Sequence, residues 1–257
     1  MQSAVGSLNP GASAFPVPPG RDCGELQRDM NQRKKGLVIA IDGPSGAGKS
    51  TIARMLARRL GYVYIDTGAM YRAIGWKAKQ EGVDPSDEAA LQQLCSRTDV
   101  TIKPDTSVQR VLVNGVEVTG EIRTPEMGML ASAVSRSPAV RAQLLTLQRG
   151  LGASGGVVMD GRDIGTVVFP GAEVKFYLDA SAEERGRRRW QELKEKGMDV
   201  DQAVITEEIR ARDLQDSSRD IAPLKRAPDA CYLDSSTMTI EDVVASMLSV
   251  CAERDPQ

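Results

Sequence analysis

Residues 43–50 read Gly43-Pro-Ser-Gly-Ala-Gly-Lys-Ser50, and Asp42 separates them from the apolar run Leu37-Val-Ile-Ala-Ile41. They fill every fixed position of G-x-x-x-x-G-K-[ST], the phosphate-binding loop (P-loop) pattern. The run before them predicts a buried strand, and residues 51–60 follow a helical pattern, so the strand–loop–helix context of the motif is present. Glycines allow backbone conformations in which successive N–H groups point at phosphate oxygens. This context disfavours the alternative of a glycine-rich turn that matches by chance.

The loop predicts an ATP-binding site. Lys49 is expected to reach the β- and γ-phosphates, and the Ser50 hydroxyl to help hold Mg²⁺, which makes Ser50 the predicted metal ligand. The nucleotide-binding set is Gly43, Pro44, Ser45, Gly46, Ala47, Gly48, Lys49, Ser50 and Thr51. A P-loop by itself leaves the reaction open, because GTPases, motor ATPases and small-molecule kinases all contain one.

The composition narrows the class of protein. The chain has 257 residues and a formal net charge of -2, which suits one large α/β domain with insertions or two small domains. This charge creates no global field favouring nucleic acid or an acidic membrane, so we expect neither as a partner. There is no apolar run of about 18 residues and no secretory signal pattern, so we expect a cytoplasmic protein.

The cysteine and histidine content limits the chemistry. Four cysteines are widely spaced without a C-x-x-C pair and there is no histidine, which indicates reduced thiols and no zinc site. The absence of histidine also excludes a Ser-His or Cys-His nucleophile pair. Catalysis must therefore use lysine, arginine, carboxylates, a metal and backbone dipoles.

The order of predicted elements indicates an α/β fold with a parallel sheet. Apolar runs predict strands at 37–41, 63–65, 157–159, 174–178 and 231–233, and helical patterns predict helices at 51–60, 88–96, 140–148, 181–196, 201–215 and 240–251. Residues 99–120, with Val108, Val111 and Val113 among their β-branched residues, predict a small antiparallel insert whose hairpin turn is Asn114-Gly115. Residues 1–34 are rich in Gly, Pro and Ser, and we expect a disordered tail. A partner-binding tail and an upstream start of the reading frame remain open alternatives for this segment.

Six segments carry a resemblance to a known family. They read IDGPSGAGKST (41–51), YIDTGAMYRA (64–73), GEIRTPE (120–126), DGRDIGTVVFP (160–170), FYLDAS (176–181) and ERGRRR (184–189). In this order they closely resemble the bacterial cytidylate kinases, a family of nucleoside monophosphate kinases. The resemblance spans residues 36–250 and leaves only the tail uncovered. DGRDIGTVVFP is far more specific to this family than the P-loop.

The resemblance implies ATP- and Mg²⁺-dependent phosphoryl transfer to CMP or dCMP. It implies a P-loop core (35–66, 155–180 and 221–257), a monophosphate-binding region with the β insert (67–154) and a short helical lid with its flanking helices (181–220). Because the lid helices hold few large apolar residues, we expect them to open and close easily. Members of this family are often monomers, and we expect a monomer here.

The resemblance also implies roles for individual residues. The acceptor pocket corresponds to Thr67, Tyr71 and Arg72, with Arg72 at the acceptor phosphate, and the groups at the cytosine edge correspond to Ser132, Arg141 and Asp163. Arg162 corresponds to a phosphate ligand, and the segment at the ribose and phosphate corresponds to Arg212, Asp216 and Arg219. Arg188 corresponds to an arginine at the transferring phosphoryl group. The predicted catalytic set is Lys49, Arg162 and Arg188. Arg162 also follows a predicted strand directly, at the sheet edge where ligands bind in open α/β folds.

Several of these residues have structural alternatives. Asp163 could brace Arg162, Tyr71 could pack between sheet and helix, and the Ser132 hydroxyl could bond its own helix. Asp42 and Asp160 could touch Mg²⁺ through water or hold neighbouring loops. Two sets were assigned by residue type alone: solvated surface for Lys103, Lys175, Lys194 and Lys196, and core for Met127, Met129 and Leu130.

Three other functions compete with the cytidylate kinase reading. Another monophosphate kinase or a shikimate-like kinase would differ in its acceptor. A P-loop switch is disfavoured because the chain holds no N-K-x-D guanine motif. A nucleotide-binding scaffold without turnover is disfavoured by the intact Lys49, Ser50 and arginines.

Overall fold

The computed structural model describes residues 36–103 and 109–254. In these ranges the strands are β1 (Val38–Asp42), β2 (Val63–Asp66), β3 (Val100–Lys103), β4 (Arg110–Val113), β5 (Val116–Glu117), β6 (Val157–Gly161), β7 (Val174–Asp179) and β8 (Cys231–Asp234). The helices are α1 (Lys49–Leu60), α2 (Thr67–Gln80), α3 (Glu88–Ser96), α4 (Pro125–Val134), α5 (Pro138–Gly152), α6 (Ala182–Glu195), α7 (Gln202–Ser217) and α8 (Ile240–Arg254). A 3₁₀ turn (Glu121–Arg123) and a π-helical turn (Ile164–Val168) complete the described elements.

The main sheet has the strand order β2-β6-β1-β7-β8 within the described residues, and every neighbouring pair is parallel. The registers place Asp42 beside Gly161, Asp66 beside Asp160, and Asp179 beside Asp234. The carboxyl ends of these strands therefore meet at one edge. The predicted parallel α/β fold is confirmed.

Apolar side chains fill both faces of this sheet. Ile39 and Ile41 of β1 pack on one side with α1 and α8, while Ala40 between them belongs to the core on the other side with α2, α3 and α5. Because helices cover both faces, the strands carry near-continuous apolar runs, as parallel sheets generally do. This is why these strands could be recognised from the sequence.

The predicted insert is present as a second, antiparallel sheet of β3, β4 and β5. Asn114 and Gly115 connect β4 to β5 with φ angles of 50° and 81°. Two consecutive positive φ angles are what a tight hairpin turn of this kind requires. Val108 and the predicted tail at 1–34 lie outside the described residues.

Two assignments made from residue type are wrong. The Lys175 side chain is only 6% exposed and its ammonium group lies 2.8 Å from a carboxylate oxygen of Asp229. Its strand, β7, is covered on both faces, so the lysine must reach a partner at the end of its stem. Met129 is 68% exposed, because α4 buries Met127 and Ala131 on the opposite face.

Among the described residues, no helix combines the length and the apolar character needed to cross a membrane.

Candidate active site

A cavity of about 860 Å³ lies at the carboxyl edge of the main sheet. Its lining includes the P-loop residues from Ser45 to Thr51, while Gly43 and Pro44 are outside that lining. The predicted acceptor-site residues and Arg188 all line the same cavity: Thr67, Tyr71, Arg72, Ser132, Arg141, Arg162, Asp163, Arg212, Asp216 and Arg219. The fold therefore brings together groups that are up to about 170 residues apart in the sequence.

The P-loop has the backbone shape that an anion cradle needs. Gly48 is the N-cap of α1 with a φ of 87°, and no side chain caps this helix or places a carboxylate in its first turn. The first N–H groups of α1 thus remain available to an anion, which the helix dipole also favours. A Cβ added at Gly43, where φ is 150°, would lie 1.9 Å from the carbonyl oxygen of Leu178, so only glycine fits there.

Lys49 lies buried between the loop and the sheet edge. Its Nζ donates to the carbonyl oxygen of Pro44 at 2.6 Å. Burial lowers the pKa of Lys49 well below its ordinary value, and the positive charge of Arg162 adds to this, while Asp160 and Asp42 act in the opposite direction. An anionic ligand in the loop would compete with the Pro44 carbonyl for this ammonium group.

Asp160 is the carboxylate nearest to Ser50. The Ser50 hydroxyl donates to its Oδ2 atom at 2.8 Å and the Tyr64 hydroxyl to its Oδ1 atom at 3.0 Å, while Thr67 donates to its backbone carbonyl at 2.7 Å. Burial raises the pKa of Asp160 to about 6, helped by the negative charge of Asp66 and opposed by Lys49. A buried carboxylate beside a serine hydroxyl offers two hard oxygens to a cation.

Asp42 holds a neighbouring loop, which was the alternative to metal contact for Asp42 and Asp160. Its two carboxylate oxygens accept from the backbone N–H groups of Ile164 and Gly165 at 2.8 and 2.7 Å. Burial raises its pKa to about 7 in spite of these two hydrogen bonds. Asp42 therefore holds the π-helical turn that follows Arg162 and Asp163, and so helps to position both side chains.

Alternating guanidinium and carboxylate groups form the far end of the cavity. Arg141 hydrogen-bonds the Oδ2 atom of Asp163, and the Nε atom of Arg162 donates to Asp216 at 2.9 Å. Arg219 donates to the hydroxyl of Ser135 at 3.0 Å. The alternative that Asp163 braces Arg162 is therefore wrong, because each of these residues pairs with a different partner.

The charged groups here are desolvated. Burial raises the pKa of Asp163, although the positive charge of Arg141 opposes this. Burial also lowers the pKa of Arg212, with the positive charge of Arg162 contributing. Such desolvation strengthens the electrostatic interaction of each group with a ligand of opposite charge.

Several polar atoms at this end have no hydrogen-bond partner. Among the described residues, six buried side-chain nitrogen or oxygen atoms are unpaired, and four of them belong to cavity residues: Arg72 Nε, Ser132 Oγ, Arg212 Nε and Arg219 Nη2. Buried polar groups usually have a hydrogen-bond partner, so the concentration of four such atoms here suits the binding of a polar ligand. In particular, Ser132 does not bond its own helix, which was its structural alternative.

Tyr71 and Arg188 each make contacts within the protein. Tyr71 packs against the core that α2, α3 and α5 form with the sheet, and the guanidinium carbon of Arg141 lies 5.9 Å from the centre of the Tyr71 ring. Arg188 donates to Glu184 at 2.8 Å and to the backbone carbonyl of Ser235 at 2.6 Å. Both side chains line the cavity, but their contacts alone do not give them a role in catalysis.

Sequence reasoning missed two residues of this region, Tyr64 and Arg185. Tyr64 bonds Asp160 across 96 residues, and Arg185 bonds the carbonyl of Ser45 across 140 residues. No local sequence pattern indicates contacts between residues so far apart, so only the folded chain reveals these two hydrogen bonds. Arg185 lies within the family segment ERGRRR (184–189), from which only Arg188 is assigned a role.

Comparisons with known proteins identify the family of this chain. The cytidylate kinase family model matches residues 39–253. The cytidylate kinase of Geobacter sp. (strain M21) is 51% identical over 222 residues, which cover 86% of this chain and 95% of the relative. The cytidylate kinase of Syntrophotalea carbinolica is 53% identical over 218 residues, which cover 85% of this chain and 93% of the relative. The match to a solved structure of shikimate kinase from Acinetobacter baumannii in complex with shikimate covers 86% of this chain and 96% of that chain. At 15% identity and a TM-score of 0.44, this structure is too distant to bear on activity. The resemblance found in the sequence is thus confirmed: the chain belongs to the cytidylate kinase family.

Proposed function

We propose that this protein transfers the γ-phosphoryl group of ATP to CMP or dCMP, yielding ADP and CDP or dCDP. One observation carries the proposal beyond family membership. A single cavity holds an amide cradle with Lys49 at one end and a cluster of arginines with an unpaired serine hydroxyl at the other. This arrangement suits two phosphate-bearing substrates whose mutual repulsion must be neutralised.

Positioning and electrostatics supply the catalysis in this proposal. The attacking atom is an oxygen of the acceptor phosphate, already anionic, so no general base is required and the absence of histidine is no obstacle. The transition state spreads negative charge over the moving group, and fixed cations stabilise it. We assign this task to Lys49, Arg162 and Arg188, of which Lys49 lies on the donor side and Arg162 pairs with Asp216 at the far end of the cavity. Arg188 would have to leave Ser235 to take part.

The remaining cavity residues bind the acceptor nucleotide. Asp163 would accept from the exocyclic amino group of cytosine, and Ser132 and Arg141 would complete the contacts to the base edge. Arg72 would hold the acceptor phosphate, while Arg212, Asp216 and Arg219 would contact ribose and phosphate. The unpaired atoms of Arg72, Ser132, Arg212 and Arg219 support these assignments, since each is ready to bond a polar ligand. Thr67 and Tyr71 would line the pocket.

Mg²⁺ fits the donor side. Ser50 Oγ and Asp160 Oδ2 are hard oxygen atoms 2.8 Å apart at the start of α1. Mg²⁺ commonly binds one or two protein oxygens together with substrate phosphates, and these two oxygens suit that mode of binding. When bound, Mg²⁺ neutralises charge on the β- and γ-phosphate oxygens.

We further propose that α6 and α7, within the lid region 181–220, close over the phosphates. Their own core is small, with Leu193, Ile205 and Ile209 at its centre, which supports easy movement. A monomer in the reducing cytoplasm is our proposal for the working state. The described cysteines, Cys95, Cys231 and Cys251, are free thiols, in keeping with that compartment.

Turnover with a panel of acceptors tests the function. ATP and Mg²⁺ are supplied with CMP, dCMP, UMP, AMP, GMP or shikimate, and ADP release is coupled to NADH oxidation. We expect the highest kcat/KM with CMP or dCMP. Preference for shikimate or a purine monophosphate, or ATP hydrolysis without any preferred acceptor, would contradict the proposal.

A further inference from the structure

Arg185, near the start of α6, joins three parts of the fold. Its Nη1 and Nη2 atoms donate to the two carboxylate oxygens of Asp213 on α7, at 3.0 and 2.6 Å. Its Nε donates to the carbonyl of Ala180 at 2.8 Å, and Nη1 also donates to the carbonyl of Ser45 in the P-loop at 3.1 Å. The side chain is 5% exposed, so these contacts are shielded from water.

The number of free N–H groups on Arg185 decides whether this side chain can bind a phosphate or only positions other parts of the protein. A guanidinium group has five N–H bonds, and four of those in Arg185 point at oxygen atoms of the protein. Arg185 therefore has little capacity left for a phosphate, in contrast to Arg212, whose Nε has no partner among the described residues. Although Arg185 lines the cavity, it is a positioning residue.

Two of its partners, Ser45 in the P-loop and Asp213 on α7, lie on elements that contribute residues to the two substrate ends of the cavity. Ser45 lies within the glycine-rich loop, and a Cβ added at Gly46 would lie 3.3 Å from the Cβ of Arg185, so loop and α6 are in close contact. Asp213 directly follows Arg212 on α7 and lies one helical turn from Asp216. Arg212 and Asp216 are two of the residues that we propose to contact the acceptor. One side chain thus connects the donor loop to the helix that carries the acceptor groups.

The helices α6 and α7 are packed closely enough to transmit a movement. A Cβ added at Gly186 would lie 2.1 Å from the Thr206 hydroxyl, so the backbone of α6 is in contact with α7 at this point. Leu193 packs with Ile205 and Ile209 further along the two helices. A shift of Arg185 is therefore expected to carry α7 with it.

We propose that the Arg185–Asp213 ion pair couples occupation of the P-loop by ATP to the placement of the acceptor-binding side chains of α7. The inference rests on the proposed function. Phosphate in the loop competes with the Pro44 carbonyl for Lys49, and the loop backbone adjusts at Ser45. Arg185 follows the Ser45 carbonyl and moves Asp213, so that each substrate strengthens the binding of the other. The coupling is reciprocal, as linkage requires.

Calorimetric titration of CMP, with and without a saturating non-hydrolysable ATP analogue and Mg²⁺, measures this coupling as a ratio of two Kd values. For the wild type we expect a ratio in the range of about 5 to 150. For Asp213→Asn and Arg185→Lys we expect a ratio within about twofold of 1, with the Kd for CMP alone little changed. If Asp213→Asn does not fold, Asp213→Glu, which retains the charge but displaces it by one methylene, gives the same test.

Arg210→Lys is the matched control. Arg210 also joins the two helices, through Glu183 on α6, but it is about half exposed and none of its bonds reaches the P-loop. We expect this variant to keep the wild-type ratio. An undiminished ratio in both pair variants, or a wild-type ratio of 1 despite binding of both nucleotides, would overturn the inference. A wild type that binds neither nucleotide would instead contradict the proposed function.

Discussion

The hydroxyl of Ser50 donates a hydrogen bond of 2.8 Å to Asp160, 110 residues further along the chain. This bond joins the first turn of α1 to the end of β6. It brings a P-loop hydroxyl and a buried carboxylate together where the phosphates of ATP would lie. Of the two aspartates that could touch Mg²⁺, Asp160 is the stronger candidate, because Asp42 is bound to the backbone of Ile164 and Gly165.

Replacing Asp160 by Asn should weaken metal-dependent nucleotide binding. The amide keeps the shape of the side chain but removes the negative charge, so kcat/KM for MgATP should fall by about 10- to 100-fold. Affinity for Mn²⁺, measured by electron paramagnetic resonance in the presence of an ATP analogue, should fall as well. Asp179→Asn, at the end of β7 and outside the cavity lining, is the control and should stay within about twofold of wild type. Unchanged Mn²⁺ affinity in Asp160→Asn would exclude this role.

Replacing Asp163 by Asn should reduce base discrimination. The amide can present its N–H group to the carbonyl of uracil, where the carboxylate accepts from the amino group of cytosine. We expect the ratio of kcat/KM for CMP over UMP to fall by about tenfold or more, as is usual when a charged hydrogen-bond partner is lost. Asp216→Asn should instead lower both rates in parallel, since we place that residue at the ribose. Equal losses for the two bases in Asp163→Asn would count against contact with the base.

Replacing Ser132 by Ala should separate binding from stability. The hydroxyl is buried without a partner, so its removal should leave the free energy of unfolding unchanged or raise it by up to about 1 kcal/mol. KM for CMP should rise by about 2- to 12-fold because one hydrogen bond to the nucleotide is lost. Denaturant unfolding and steady-state kinetics measure the two effects. Ser135→Ala is the opposite case, since its hydroxyl bonds Arg219 and the Ser132 carbonyl, and it should destabilise the fold.

Asp42 should make stability depend on pH. Its pKa rises from 3.8 to about 7 on folding, so between about pH 4 and pH 7 the folded state binds more protons at this site than the unfolded state. The contribution of Asp42 to the free energy of unfolding therefore decreases as the pH rises through this window. Asp42→Asn cannot titrate, so the stability of the wild type relative to the variant should fall from pH 4 to pH 7.

Urea unfolding of both proteins across this window is the measurement. Asp160 titrates in both proteins, so its effect cancels in the comparison. A difference that stays constant with pH, or grows as the pH rises, would show that Asp42 is not the titrating group described here.

The part of the fold recognised from the sequence depended on local patterns. The P-loop, the apolar runs of the parallel strands and the Asn114-Gly115 turn each specify a backbone conformation within a few residues. The family resemblance then predicts one acceptor site, and the structure brings its predicted residues together in one cavity. These features need no knowledge of distant contacts.

The remainder depended on contacts between distant segments. Which arginine pairs with Asp163 is decided by how α5 meets the end of β6, and nothing near Asp163 specifies Arg141. The π-helical turn at 164–168 is held by Asp42, more than 120 residues earlier. The buried Lys175 has the residue type of a surface position, and its burial is tolerable because its ammonium group donates to the Asp229 carboxylate and the Pro170 carbonyl.

The most direct test of phosphoryl transfer at the glycine-rich loop is the rate at which Lys49→Met converts CMP to CDP with saturating ATP and Mg²⁺, compared with wild type. Methionine matches the length of the lysine stem and removes the ammonium group at its end, and circular dichroism should show an intact fold. We expect kcat to fall by about 10²- to 10³-fold or more, because a cation aimed at the transferring group is lost. Formation of CDP at the wild-type rate would contradict the account.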